Sequence, residues 1–419
     1  MMQTLIVPFV VEQHADELAT LWSVRDDLSS VGHARLRDLS RFDERIAAHQ
    51  DGCVIGGDDA LRVLTAQLAA TSAGRVFAGA VVALDLSDRG ATARCLALAE
   101  ASPRARRGMK SALGWVGSDR LRGIVRDLLK APSPVQRSLG LAACRLHGVG
   151  PGPALHAALI DGDTVVRAEA IRTAVALGQA DLVPPPSSLA NEGDAACQFW
   201  AAWSAVTLGN RGKALDTLAN MALLPGPNRS RAFHCVLQAM SPSAGHGVLR
   251  RLAHDPTQLR WLIQGSGVAG DPDYVPWLVN HMANQKASRL AGEAFSLITG
   301  VDFANSGVEG ERPENFESGP NDDPDDPNVD MDPDEGLPWP DPKKVEAWWA
   351  ANSSRFQKGT RYFMGAPVAR AHCIEVLKNG YQRQRMLAAH YLCLLEPGAP
   401  LFNTSAPAWR QIRQLAQMA

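Results

Sequence analysis

The sequence predicts an all-α fold: an α-solenoid of about eight helix pairs, in repeats of 30–31 residues, spanning residues 71–300. Three observations predict it. First, the apolar residues that follow Asp163-Thr164-Val165-Val166-Arg167, at Ala170, Ile171, Ala174 and Leu177, keep helical spacing. Second, this pattern recurs in phase. Counted on the position of Arg167, the anchors are Arg75, Arg106, Arg137, Arg167, Gln198, Arg229, Arg260 and Arg289, in steps of 29–31 residues. Third, a glycine stands eleven residues after five anchors, at Gly117, Gly148, Gly178, Gly209 and Gly300, where a helix is expected to stop.

Residues 1–70 precede the repeats and are helical but out of phase with them. Helices are expected over residues 14–28, 36–49 and 58–70, forming an N-terminal cap with a polar outer face. The charged run Asp43-Glu44-Arg45 reads as a solvated face with local ion pairs, the alternative being a charged site. Within the repeats, Asp163 and Ser133 are expected N-caps, and Pro134 suits the first helical position. Second helices follow at Leu121–Leu129, Ala214–Ala222 and Tyr274–Val279. One such pair cannot bury its own apolar face, so neighbours must stack. Small residues such as Ala142, Ala143, Ala201, Ala202, Ser204 and Ala205 let helix axes approach toward ~8 Å. The repeated arginine fits a hydrogen-bond ladder between adjacent repeats; facing outwards, it would form a cationic groove for an acidic partner.

The repeats end at Thr299-Gly300. Residues 301–342 form an acidic, Pro-rich loop with eight prolines, and 14 acids against Arg312 alone. That segment carries −13, leaving +11 for the rest of a chain whose net charge is −2. Residues 343–419 form a C-terminal helical region with a charge of +8, and helices are expected over 343–351, 372–378 and 382–395. The acidic loop is expected to lie against this basic region. The bases are scattered, with no cluster and no interleaved aromatic stripe, so nucleic acid is not an expected partner.

Other classes narrow similarly. No stretch reaches the ~20 apolar residues of a membrane-spanning helix, and mean hydropathy is −0.13. Leu5–Val11 has no basic residue before it and contains Pro8, a poor secretory signal. Seven cysteines lie far apart with no CxxC, which fits buried thiols and a cytoplasmic setting. No HExxH, GxSxG or P-loop is present. One GxGxxG, Gly265 to Gly270, follows a helix where the repeat needs its turn, so no dinucleotide or other cofactor is expected.

Two groups are candidate sites. The alternating carboxylates Asp330, Asp332 and Asp334, with Asp341, resemble a calcium loop, although Glu335 stands where that loop needs glycine. Such carboxylates must splay into solvent, meet arginine or lysine, or hold a cation. Downstream, Trp339, Trp348, Trp349, Phe356 and Tyr362 can anchor a protein partner, or pack this region onto the last repeats.

The repeat pattern, D-x-x-V-R-x-x-A-x-x-A-x-x-L-G from Asp163 to Gly178, resembles short HEAT repeats, including those of phycobilin-lyase proteins. The ends carry more specific motifs. They include Leu36-Arg37-Asp38-Leu39-Ser40-Arg41-Phe42-Asp43-Glu44-Arg45, Gly319-Pro320-Asn321-Asp322-Asp323-Pro324, Gly336-Leu337-Pro338-Trp339-Pro340-Asp341 and Trp348-Trp349. With these the chain resembles, nearly end to end, an uncharacterised family of proteobacterial HEAT-repeat proteins often encoded near type VI secretion genes. The resemblance implies a non-catalytic interaction scaffold or adaptor whose partner is a secretion effector or assembly component. A small-molecule or cofactor handler of the phycobilin-lyase type, or a cation-dependent enzyme at the acidic loop, are the alternatives.

Overall fold

The structure, a computed structural model, describes residues 7–183, 194–314, 316–320 and 331–418. Among these residues the fold is all-α: 21 α-helices and one two-residue hairpin, Tyr362–Phe363 with Ala366–Pro367. No described helix is long and apolar enough to cross a membrane. The chain forms two compact units, residues 1–210 with 378–419, and residues 211–377. This division cuts the predicted repeat segment at Asn210 and the C-terminal region at Lys378.

Every anchor residue sits in an α-helix. In the first unit these anchor helices are Ala73–Asp85, Pro103–Trp115, Pro134–His147, Thr164–Ala176 and Ala195–Thr207, each packed on the next. In the second they are Arg229–Ala239, Leu259–Ala269 and Gln285–Thr299, again packed in succession. Caps form as the sequence indicates: Ser133 accepts from Gln136 N–H, and Asp163 from Val165 N–H. Gly148, Gly178, Gly209, Gly270 and Gly300 take left-handed φ values of 67–93° at helix ends. Gly117 does not; its φ is −61°, because the helix has already ended at Trp115 and the chain leaves extended.

Five of the seven repeated arginines form the expected ladder. They reach back to carbonyls at the end of the preceding helix: Arg75 to Ala70, Arg106 to Ala99, Arg137 to Ala131 and Pro132, Arg167 to Asp161, Arg229 to Ala222. These carbonyls have no partner within their own helix, so the guanidinium supplies one. Arg137 also meets the Asp161 carboxylate and Arg229 the Gln258 side chain, each in the next repeat.

Close helix approach rests on glycine at two places. A Cβ on Gly108 would lie 2.1 Å from the Ala73 carbonyl oxygen, and one on Gly267 would lie 2.7 Å from Ala294 Cα. Neither neighbour is a flexible side chain. Gly108→Ala must therefore push two anchor helices apart, and we expect a loss of about 1–3 kcal/mol in urea unfolding; an unchanged midpoint would contradict this packing.

Several elements differ from the sequence expectation. The second helices are uneven: the expected helix Leu121–Leu129 is a short 3-10 turn, Ser118–Leu121, and then Ile124–Leu129, separated at Gly123 with φ +80°. The two helices expected over 36–49 and 58–70 are one element, Leu36–Gln67, broken at Gly57 with φ +54°. It runs on past His49 because Ile46 and Cys53 share a buried face, and Gly52 makes room for the His14 ring. With Pro8–Leu28 it packs on the first anchor helix. Trp22 stacks on Phe77, Trp115 meets Phe77 edge-on, and Trp409 meets Trp115. That last ring belongs to Ala408–Met418, a helix the sequence pattern does not reveal.

The tail of the chain returns along the first unit. Gln382 N–H donates to Ala34, and Gln382–Leu395 packs on Ala195–Thr207. Leu401 N–H then donates to Ala176, and Arg410 donates to Gly114 and Leu146. The second unit repeats the device with Arg361, which donates to Leu237, Gln238, Met240 and Ala269. In both units a returning segment thus covers the carbonyl ends of anchor helices.

Candidate functional site

The described part of the acidic loop does not gather around a cation position. Asp334 is buried and receives two guanidinium bonds from Arg260, at 2.7 and 2.8 Å. Asp332 accepts from Arg289 at 2.7 Å, and Arg289 also donates to the Asp334 carbonyl. Asp341 caps the helix Pro342–Asn352, accepting from the N–H groups of Lys343 and Lys344. Asp330 lies outside the described residues. Of the three fates open to these carboxylates, Asp332 and Asp334 meet arginine. The arginines are anchors of the last two repeats, where the sequence reading expected the basic C-terminal region. Among the described residues, no group of three or more His, Cys, Asp or Glu is placed to hold a metal ion.

The aromatic candidates pack inward. Phe356 and Tyr362 are buried, 5.0 Å apart between ring centroids, and Trp349 lies 5.4 Å from Phe356. Trp348 meets Phe295 of the last anchor helix edge-on. Trp339 meets Phe316, and the Arg289 guanidinium lies over both rings. These five side chains fasten the region after the repeats onto the last anchor helices. The seven cysteines are free and buried, and burial pushes the Cys53 and Cys393 thiols up to about 12, which disfavours the reactive thiolate there.

Charge converges instead in the first unit, at a cavity of about 200 Å³. Four helices and the returning tail build it. Pro8–Leu28 supplies Trp22, Arg25 and Asp26; Pro103–Trp115 supplies Lys110, Ser111 and Trp115. The next two anchor helices supply Arg145 and Arg172, and the tail supplies Asn403, Ser405 and Arg410. Among the described residues, five cations thus line a space with one acid, Asp26.

Buried anions behind the wall hold the cations in place. Glu169, 7% exposed, accepts from Lys110 at 2.9 Å and from Arg145 at 3.0 Å, and Arg172 stands at 3.9 Å. This one carboxylate ties together three successive anchor helices. Burial alone would push it up, but Lys110, Arg145 and Arg172 outweigh burial and hold it well below the ordinary carboxylate range. Asp43 is not on the solvated face the sequence suggests: it is 1% exposed and pairs with Arg25 at 2.8 Å, and Arg25 also donates to the Ser405 and Ala406 carbonyls of the tail. Arg107 pairs with Asp26. Arg172 lies over the Trp200 ring, 4.9 Å from its centroid.

None of these cavity residues was a sequence candidate. Lys110, Arg145 and Arg172 fall four, eight and five residues after their anchors, so no common register marks them. Glu169 did leave a signal. Two residues after each anchor stand Phe77, Gly108, Leu139, Glu169, Trp200, Arg231, Leu262 and Ala291, and Glu169 alone is acidic.

Compared with protein-family models, curated proteins and solved structures, the chain shows no match.

Proposed function

We propose that this protein is a non-catalytic adaptor that holds a protein partner by an acidic group seated in the cationic cavity of the first unit. One observation carries the reading: Arg25, Lys110, Arg145, Arg172 and Arg410 converge there from separate elements, with Asp26 the one acid on the wall among the described residues. Cations in a partly enclosed, low-dielectric space attract an anion far more strongly than the same cations in water. The cavity floor is rigid, since Glu169 and Asp43 fix the cations before any ligand arrives. The resemblance at the chain ends makes a type VI secretion component the partner class to seek first.

Cross-linking and pull-down from the native host test this, comparing the natural protein with Asn403→Asp. The Asn403 side-chain oxygen accepts from Ser405 N–H at 3.1 Å, so aspartate keeps that bond while placing a negative charge in the cavity. We expect a stoichiometric partner with the natural protein and at least tenfold less with N403D, at an undiminished Tm. Absence of such a partner, or equal recovery by N403D, refutes the reading.

A further inference from the structure

Resting on that cavity as the recognition site, we infer that the group it receives is a phosphate monoester dianion. The charges on the wall point to a divalent anion. Arg25 is neutralised by Asp43, and Asp26 by Arg107. Lys110 and Arg145 share the single charge of Glu169. Among the described residues, Arg410 donates to the Gly114 and Leu146 carbonyls and pairs with no carboxylate. Arg172, 3.9 Å from Glu169, adds to them, so at least two positive charges remain among the described side chains. A phosphate monoester carries about −1.5 to −2 at neutral pH, whereas one carboxylate would offset at most half of that excess.

The donors agree with the charge. Lys110 uses one of its three N–H groups on Glu169. Arg410 bonds the two carbonyls through Nη1, which leaves Nε and Nη2 for a ligand. Ser111 adds a hydroxyl and Asn403 an amide at the same wall. Three phosphate oxygens accept several such bonds at once, and charge-assisted bonds of this kind are roughly twice as strong as neutral ones. Size sets the remaining limit. A cavity of about 200 Å³ is smaller than the ~300–1,000 Å³ that encloses drug-sized ligands and cofactors. It has room for a phosphate and a short stem against Trp22 and Trp115, and no room for a dinucleotide. The shared chemistry has two sources: a phosphorylated side chain of the partner, or a small free phosphate ester.

Calorimetric titration of the full chain at fixed ionic strength tests the inference, using inorganic phosphate, glycerol phosphate, a phosphoserine peptide, acetate and glutamate. We expect the phosphate esters to bind at least tenfold more tightly than either carboxylate. N403D and Ser111→Asp should each weaken them at least tenfold, with melting curves confirming that both variants fold. Affinity should fall below about pH 6 as the phosphate ester dianion takes up a proton and becomes a monoanion. A phosphopeptide binding tenfold more tightly than glycerol phosphate assigns the group to a protein partner; the reverse order assigns a small ester. Carboxylates that bind as tightly as phosphates overturn the phosphate assignment and leave the cavity as an acid-recognition site. No response to any anion, or an unaltered response in both variants, overturns the assignment and the cavity together.

Discussion

Replacing Glu169 by leucine will destabilise the first unit by about 3–5 kcal/mol, the range for removing one member of a buried ionic cluster. The loss has little to do with packing volume. Lys110, Arg145 and Arg172 come from three successive anchor helices, and Glu169 is the carboxylate among them. Without it, like charges face each other across half-buried space. Glu169→Gln keeps an acceptor for Lys110 and should lose less than half as much. Acid separates the two effects. A carboxyl whose pKa falls on folding stabilises the folded chain above its unfolded pKa, and that contribution disappears as pH falls through the lower, folded value. Glu169 is such a group, held down by its three cations. The stability gap between natural protein and E169Q, measured by urea unfolding, should be full above about pH 5.5 and narrow steadily below about pH 4.5. A gap that stays constant or widens into acid would show that Glu169 is not held as the anion. E169Q also adds one net positive charge at the cavity wall, so it should bind phosphate more tightly while folding less stably. A purely structural carboxylate would not move both in opposite directions.

The sequence carries the frame of this molecule because its signals are local. Arg137, Ser133 and Gly148 lie within one helix and its caps, and their spacing repeats. What joins the frame is not local. Arg25 meets the carbonyls of Ser405 and Ala406, and Arg410 meets Gly114, across separations of hundreds of residues. No periodicity reports such a return. The acidic loop shows the same divide. Alternating Asp332 and Asp334 are plain in the sequence, but nothing local singles out Arg260 and Arg289 as their partners from the other anchor arginines, all of which fit a ladder or an outward cationic groove alike. A repeat makes all its anchors look alike. The last two differ in what they face: the guanidinium of Arg260 meets the Asp334 carboxylate and that of Arg289 meets Asp332.

Arg361→Met will cost about 3 kcal/mol in the second unit, because it strips four carbonyls of a charged donor. Arg361 donates to Leu237, Gln238 and Met240 at the end of one anchor helix and to Ala269 at the end of the next. Helix ends leave their last carbonyls without intrahelical partners, and a buried acceptor left unpaired costs about 1–3 kcal/mol. The four losses will not add in full, since water reaches part of the half-buried site. Backbone bonds from Tyr362 to Gly270, Met364 to Leu297 and Gly365 to Ile298 follow immediately and depend on the same placement of the chain. Hydrogen exchange is the informative measurement, because two units need not unfold together. Protection should fall most in Arg229–Ala239 and Leu259–Ala269 and stay unchanged in the anchor helices of the first unit. Arg361→Lys should recover only part of the loss, since one ammonium cannot span four acceptors in a fixed fork. Full recovery by lysine would mean that charge near the helix ends, and not the set of directed bonds, is what the residue contributes.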